Sequence, residues 1–299
     1  MHTRAVTVAD IPLLTRLQVR HEESIGGGEI ISEVETAEQL DHVDDLASSS
    51  LVVEDDGGGI LGAAWRWGTN TVWLVDPDAE DETVHDVLLG WLEDGPIRTA
   101  DADAADRRSV AALDGRGWHH VHSSFDLEMD QDQAMALEEP AWAEGVTTVP
   151  WTPSVAADVH ELIYVRAGWS TVPGHNHRPF EEWSSLFAGA FLVPGQQVLA
   201  VEGHELVGVA MCRIWDDGTG WVSQLAVARA HRARGIGRAL LLTALRRLRD
   251  DGATSLGLSV NAENRGALGL YQRVGLTVHR EWLTYEVTPS ATPSSGRGT

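Results

Sequence analysis

Two stretches of this chain, "SLVVEDDGGGILGAAWRWGTNTVWLV" and "QVLAVEGHELVGVAMCRIWDDGTGWVSQLAV", carry the same succession of runs and turns. They lie roughly 140 to 150 residues apart, a common size for one domain. Each reads as three strands joined by short turns rich in Gly and Asp. The turns fall at residues 55–59 and 68–70 in the first copy, and at 203–204 and 217–219 in the second; "ILGAA" stands where "LVGVA" stands. Helical segments precede each meander. A helix, a further strand and a closing strand entry follow it, "LDGRGWHHVH" in one half and "YQRVGLTVHR" in the other. The order predicts two copies of one α/β domain.

The second copy can be followed element by element. "VTTVPW" reads as a strand, and "SVAADVHELIYVRAG" as a helix with Val155, Val159, Leu162 and Ile163 on one face. After the meander, Leu240, Leu241, Ala244, Leu245 and Leu248 recur at helical spacing, and Gly252 ends that helix. A strand, "TSLGLSV", a helix, "NRGALGLYQRVG", and a last strand, "LTVHREWLTYEV", complete it. "DQDQAMALEEPAWAEG" is acidic, holds Pro and Gly, and lacks periodicity. The expected organisation is a first domain over 1–130, a linker over 131–145, a second domain over 146–288 and a disordered tail over 289–299.

A chain of 299 residues is comfortable for two such domains. Its formal net charge is -23, and every basic residue is Arg. No catalytic lysine is available, and strong acidity argues against nucleic acid as a partner, because phosphate neutralisation dominates that affinity. No apolar run approaches membrane-spanning length, and the start of the chain lacks a signal-peptide pattern, so a cytoplasmic protein without membrane partners is expected. One cysteine, Cys212, excludes a disulfide framework and a cysteine metal cluster and reads as a strand residue in the core. No metal is expected.

Against this acidity stands "AHRARGIGRALL", residues 230–241. Gly235 and Gly237 lie between a strand and a helix, where they let the backbone turn tightly and approach a ligand. The first helical turn presents unpaired N–H groups and the positive end of the dipole, a site for a phosphate. Arg232, Arg234 and Arg238 are expected to add charge. The third glycine of a dinucleotide fingerprint is missing, with Leu240 in its place, and no Gly-Lys-Ser/Thr follows.

Strand "LAV" followed by Arg232-Ala233-Arg234-Gly235-Ile236-Gly237 resembles the R/Q-x-x-G-x-G/A motif of the GNAT superfamily of N-acetyltransferases. Asn264, Ala267, Leu270, Tyr271 and Gly275 fall in register with that family's second hallmark, with Leu276 in place of the usual Phe. The resemblance covers roughly residues 146 to 288, and the tandem layout is similar to that of the mycothiol synthases within the family. It implies two tandem GNAT-like domains, each a mixed, mostly antiparallel central sheet flanked by helices. It also implies an acetyl-CoA co-substrate whose pyrophosphate sits on residues 232–238. The backbone of Leu225, Ala226 and Val227 would take the pantetheine and thioester carbonyl, Asn264 would contact the coenzyme, and Tyr271 would act as general acid. Acetyl would pass by direct attack to a primary amine of a small molecule, and a homodimer is compatible with it.

Many members of the family carry a carboxylate on the strand before the motif. Here that strand holds Trp221, Ser223 and Gln224, so His175 and His177, or a water relay, are the candidate bases. In the first half the corresponding loop, residues 76–82, is acidic and would repel a pyrophosphate; Asp106 stands near the place of Asn264 and Leu113 near that of Tyr271. The first domain is therefore expected to be a degenerate copy with a structural or substrate-shaping role. The alternative from another class is a non-catalytic acyl-CoA-binding or regulatory protein. The arginines of "LRRLRD" are expected to form a solvated helix face.

Overall fold

The computed structural model describes residues 1–27, 31–68, 70–79, 83–171, 177–189 and 192–288. The expected disordered tail and the candidate base His175 lie outside them. The described residues form two compact units, one within 1–122 together with 282–288, the other within 123–281.

In the first unit β1 (His2–Arg4), α1 (Ile11–Ser24), α2 (Glu33–Asp41) and α3 (Leu46–Ser49) lead into the meander β2 (Ser50–Glu54), β3 (Ile60–Trp67) and β4 (Asn70–Val75). These four strands pair antiparallel in the order β1-β2-β3-β4. Next come α4 (Thr83–Glu93), which buries Val84, Leu88, Leu89 and Leu92, and then β5 (Thr99–Asp103), α5 (Arg107–Gly115) and the start of β6 (His119–Met129). The second unit continues with α6 (Gln131–Met135), β7 (Val146–Val149), α7 (Ala156–Glu161) and α8 (Phe180–Phe187). Its meander is β8 (Val198–Glu202), β9 (Glu205–Ile214) and β10 (Thr219–Val227), followed by α9 (Ile236–Asp250), β11 (Ser255–Asn261), α10 (Arg265–Val274) and β12 (Thr277–Glu286). Strands β7 to β10 are antiparallel neighbours, while β10 and β11 run parallel, so the sheet is mixed and mostly antiparallel. The apolar stripe read from the sequence is the buried face of α9, extended by Ile236, Ala239 and Leu242.

The internal repeat is visible atom by atom. A Cβ on Gly62 of β3 would meet Val84 Cγ1 at 2.8 Å and Leu88 Cδ1 at 3.0 Å, both from α4. A Cβ on Gly208 of β9 would meet Leu240 Cδ1 of α9 at 2.7 Å and the Ala226 carbonyl at 3.2 Å. In both copies the central strand lacks a side chain where the helix lies closest. Gly208→Ala should therefore overpack this seam and lower stability by about 1–3 kcal/mol, read by chemical denaturation.

The units are not bounded as the repeat suggests. Residues 124–129 of β6 pair antiparallel with β11 in the second unit, and residues 282–286 of β12 pair antiparallel with β5 in the first. Each half of the chain supplies the other unit with its closing strand. Periodicity reports which residues form a strand, and only long-range pairing reports which sheet receives it.

Residues 131–145 are also more than a linker. Ala134 and Leu137 are buried in the core built by α9, with Trp142 packed against it. Arg238 pairs with Glu138 at 2.6 Å, Arg246 holds the Leu137 carbonyl at 3.0 Å and pairs with Glu139, and Arg249 holds the Ala134 carbonyl at 3.1 Å. Arg247 bonds the carbonyls of Gly195 and Gln197. The arginines of "LRRLRD" thus clamp neighbouring segments, where a solvated face was expected: a guanidinium offers five donors that match backbone carbonyls left free by irregular chain.

Candidate active site

Strand β10 begins the site. It pairs with β11 only over Thr219–Trp221 against Ser255–Gly257, and beyond that the two strands part. Along its other edge it follows β9 to Val227, with a bulge at Ser223 between the pairs of Val222 and Gln224. A bulge reverses which face the following side chains occupy. Val222 packs in the core under α9, and past the bulge Leu225 and Val227 return to that core while Ala226 enters the core of α7 and α8. Gln224 is buried, its Oε1 accepting from the Trp183 indole N–H at 2.9 Å.

The Ala228 N–H bonds the Val207 carbonyl of β9 at 2.9 Å. Since strand amides alternate, Ala226 faces β9, whereas Leu225 and Val227 turn their peptide groups to the edge where β11 has left. Of the three backbone positions expected to meet a pantetheine, two point into the opening and one into the sheet.

A short turn then delivers the chain to α9. Ala233 (φ 60°) and Gly235 (φ 82°) both adopt left-handed backbone, separated by one residue. Gly235 is the N-cap of α9, no side chain caps the helix, and its first turn holds no acidic residue. A Cβ at Gly235 would meet nothing within 4 Å. The amides of Ile236, Gly237 and Arg238 therefore start the helix with no side-chain acceptor, beside the mouth between β10 and β11. Such a concave run of N–H groups at a dipole's positive end attracts an anion.

The arginines differ from their expected role. Arg232 turns inward: Nε donates to the Val227 carbonyl at 3.2 Å and Nη2 to the Ala167 carbonyl at 2.6 Å. Burial, with Arg229 beside it, pulls its guanidinium below the ordinary arginine value. Arg234 forms a two-pronged pair with Glu202, at 2.8 and 2.7 Å, and Arg238 pairs with Glu138. The sequence places these cations in the loop but not the carboxylates and carbonyls, distant along the chain, that engage them.

Helix α10 closes this side. Asn264 is its N-cap, Oδ1 accepting the Ala267 N–H at 3.2 Å. Tyr271 lies seven residues on, buried in the α9 core. Burial pushes its phenol up to about 12. The fold thus favours the neutral phenol: its stabilisation is complete below the ordinary tyrosine value near 10 and is lost as pH climbs toward 12. Alkaline denaturation should show that slope, and Tyr271→Phe should flatten it. In the first unit Asp106 caps α5 through the Ser109 N–H at 3.1 Å, and buried Leu113 again stands seven residues on. That geometry pairs Asp106 with Asn264 and Leu113 with Tyr271. Residues 76–79, the described part of the counterpart of the anion loop, are tied down: Arg20 holds Asp76 at 2.8 and 2.9 Å, and Arg108 donates to the carbonyls of Pro77 and Ala79; residues 80–82 lie outside the described residues.

On the opposite face of β10 the structure assembles a group that sequence reading missed. His160 touches the rings of Tyr164, His177, Phe180 and Trp183 at centroid distances of 4.8–5.6 Å, and its Nε2 bonds the Arg178 carbonyl at 2.8 Å. Burial raises the Tyr164 phenol above its ordinary value, with Gln224 as a hydrogen-bond partner. His177, one of the two candidate bases, lies 4.9 Å from the Tyr164 ring. The available signal was the four-residue spacing of His160 and Tyr164, which aligns them on one helix face. The π-turn over Leu162–Arg166, which carries Tyr164 itself, has no comparable signature.

Among the described residues no His, Cys, Asp and Glu group stands ready to hold a metal ion, and no helix is long and apolar enough to cross a membrane.

These features define a class. Residues 158–276 match the family described as acetyltransferase (GNAT), and the whole chain carries the tandem GNAT fold. Curated relatives are similar over much of the chain. Mycothiol acetyltransferase of Streptomyces coelicolor is 25% identical over 248 residues, which cover 79% of this chain and 78% of that one. The enzyme of the same name from Thermomonospora curvata is 28% identical over 200 residues, 65% of each chain. Two solved structures share the fold: a GCN5-related N-acetyltransferase from Sphaerobacter thermophilus (TM-score 0.79, 24% identity, 96% of this chain and 95% of that one) and a tandem GNAT protein from the clavulanic acid biosynthesis pathway (TM-score 0.73, 15% identity, 97% and 99%). Over residues 158–276 the chain therefore carries an acetyltransferase (GNAT) domain.

Proposed function

We propose that the second unit moves an acetyl group from acetyl-CoA to a primary amine of a small molecule, and that the first unit has no coenzyme site. The observation that carries this reading is the uncapped start of α9, with left-handed Ala233 and Gly235, beside the opening between β10 and β11. The amides of residues 235–238 take the pyrophosphate. The pantetheine runs along the free edge of β10, where the Leu225 and Val227 peptide groups position the thioester and its carbonyl oxygen. A neutral amine attacks the carbonyl carbon, the C–S bond breaks, and the leaving sulfur takes a proton. Tyr271 holds that proton at Oη. Asn264 shapes the same wall by fixing the first turn of α10. No carboxylate lies on β10, and Gln224 is committed to Trp183, so the attacking amine loses its proton to water or to the His160–His177 group.

The name shared by the relatives makes a mycothiol precursor bearing a free amine the first acceptor to offer. Free thiol released from acetyl-CoA, measured across a panel of amines headed by that compound, tests the reading. Tight coenzyme binding with no thiol release from any amine would favour the acyl-CoA-binding alternative, which the missing strand carboxylate supports. Calorimetry with coenzyme A should give one site per chain; a stoichiometry near two would restore function to the first unit's acidic loop.

A further inference from the structure

Glu202 ends β8 and stands beside the anion loop. Both its oxygens are engaged by Arg234, Oε2 from Nη1 at 2.8 Å and Oε1 from Nη2 at 2.7 Å. The Nε2 of His231, from the same loop, lies 3.3 Å from Oε2, while the buried Nδ1 of that ring has no partner. Arg234 holds the carboxyl below its usual range, and the carboxylate holds the guanidinium above its own. A bidentate arginine–carboxylate fork has the geometry of an arginine–phosphate fork. The other arginines differ: Arg232 is anchored on two backbone carbonyls, and Arg238 on a single oxygen of exposed Glu138. Arg234 is therefore the loop cation already held in a phosphate-like grip, one residue before the left-handed cap of α9.

We propose that Glu202 is a built-in competitor for the coenzyme: it occupies Arg234 in the free protein and yields it to a phosphate when the coenzyme arrives. This rests on the coenzyme A reading above. The side chains are about one-third exposed, 33% for Glu202 and 37% for Arg234, so the pair can open without unpacking the core. An affinity that must first release Arg234 is reduced by the fraction of protein in which the pair is closed. Departure of the product coenzyme is helped in the same proportion, since the carboxylate recaptures the arginine. The residue thus sets coenzyme affinity and release without touching the thioester.

A double-mutant cycle tests this, with coenzyme A as the calorimetric probe at low and moderate salt. Glu202→Gln should bind about fivefold more tightly than the parent, the scale of one exposed ion pair. Arg234→Gln should bind more weakly. The gain from Glu202→Gln should shrink to near nothing in the Arg234→Gln background. If the gain persists there in full, Glu202 acts only by its own repulsion of the ligand and the competition is overturned. If Glu202→Gln binds no more tightly although circular dichroism shows it folded, the proposal is overturned as well. Both results leave the coenzyme site standing; absence of binding by the parent protein removes the site and the competition together.

Discussion

Aspartate in place of Gly237 is expected to weaken coenzyme A binding by about 100-fold or more while leaving the protein as stable as before, or more so. The two signs separate the ligand from the fold. A Cβ at this position would meet Val227 Cγ2 at 3.6 Å and Leu270 Cδ2 at 3.8 Å, ordinary contacts that require no movement. A carboxylate in the first turn of a helix favours it by about 0.3–1 kcal/mol, and loss of a glycine from the helix adds to that. The same carboxylate stands at the amides assigned to the pyrophosphate, filling the positive end of α9 and repelling the ligand. A loss of about 3 kcal/mol in binding corresponds to the 100-fold change. Calorimetry and a thermal melt of the same sample suffice. Unchanged affinity in a stabilised variant would show that the anion sits elsewhere.

Tyr271→Phe should reduce turnover by a factor on the order of 10², the scale for a positioned acid, with coenzyme affinity almost unmoved. The ring stays in the core between α9 and α10, and the change removes one hydroxyl and little volume. A phenol held near 12 is proton-loaded at every pH where the enzyme would work. On the proposed mechanism, its part is to present that proton to sulfur as negative charge appears. The loss should therefore fall on kcat and be smaller with an acyl donor whose leaving thiol is more acidic. Wild-type turnover by the variant would leave Tyr271 as a packing residue and give the proton to water.

The strands of both meanders, the stripe on α9 and the two glycine turns were legible because each depends on neighbours close in sequence. Gly235 and Tyr271 were legible through their spacing within motifs. The bulge at Ser223 was not, since it exists only against the register of β9. The partners of Arg232, Arg234 and Arg238 were not, because Ala167, Glu202 and Glu138 are remote in sequence. The aromatic group around His160 was missed for the same reason: it draws on two helices and the loop between them. Asn264 shows the mixed case, where one side chain serves as a helix cap and also stands at a motif position.

The exchange of closing strands makes the two halves of this protein inseparable as pieces of chain. A fragment starting at residue 146 would contain the anion loop, Tyr271 and the aromatic group, yet it would lack residues 124–129, the neighbour of β11. That strand is the one whose parting from β10 creates the opening. A fragment ending at 130 would in turn expose β5 where residues 282–286 should lie. The first unit is thus kept by architecture, whether or not its own loop binds a coenzyme. Deletion of the first half would take a strand out of the sheet that carries the proposed site, and so reach that site from the side.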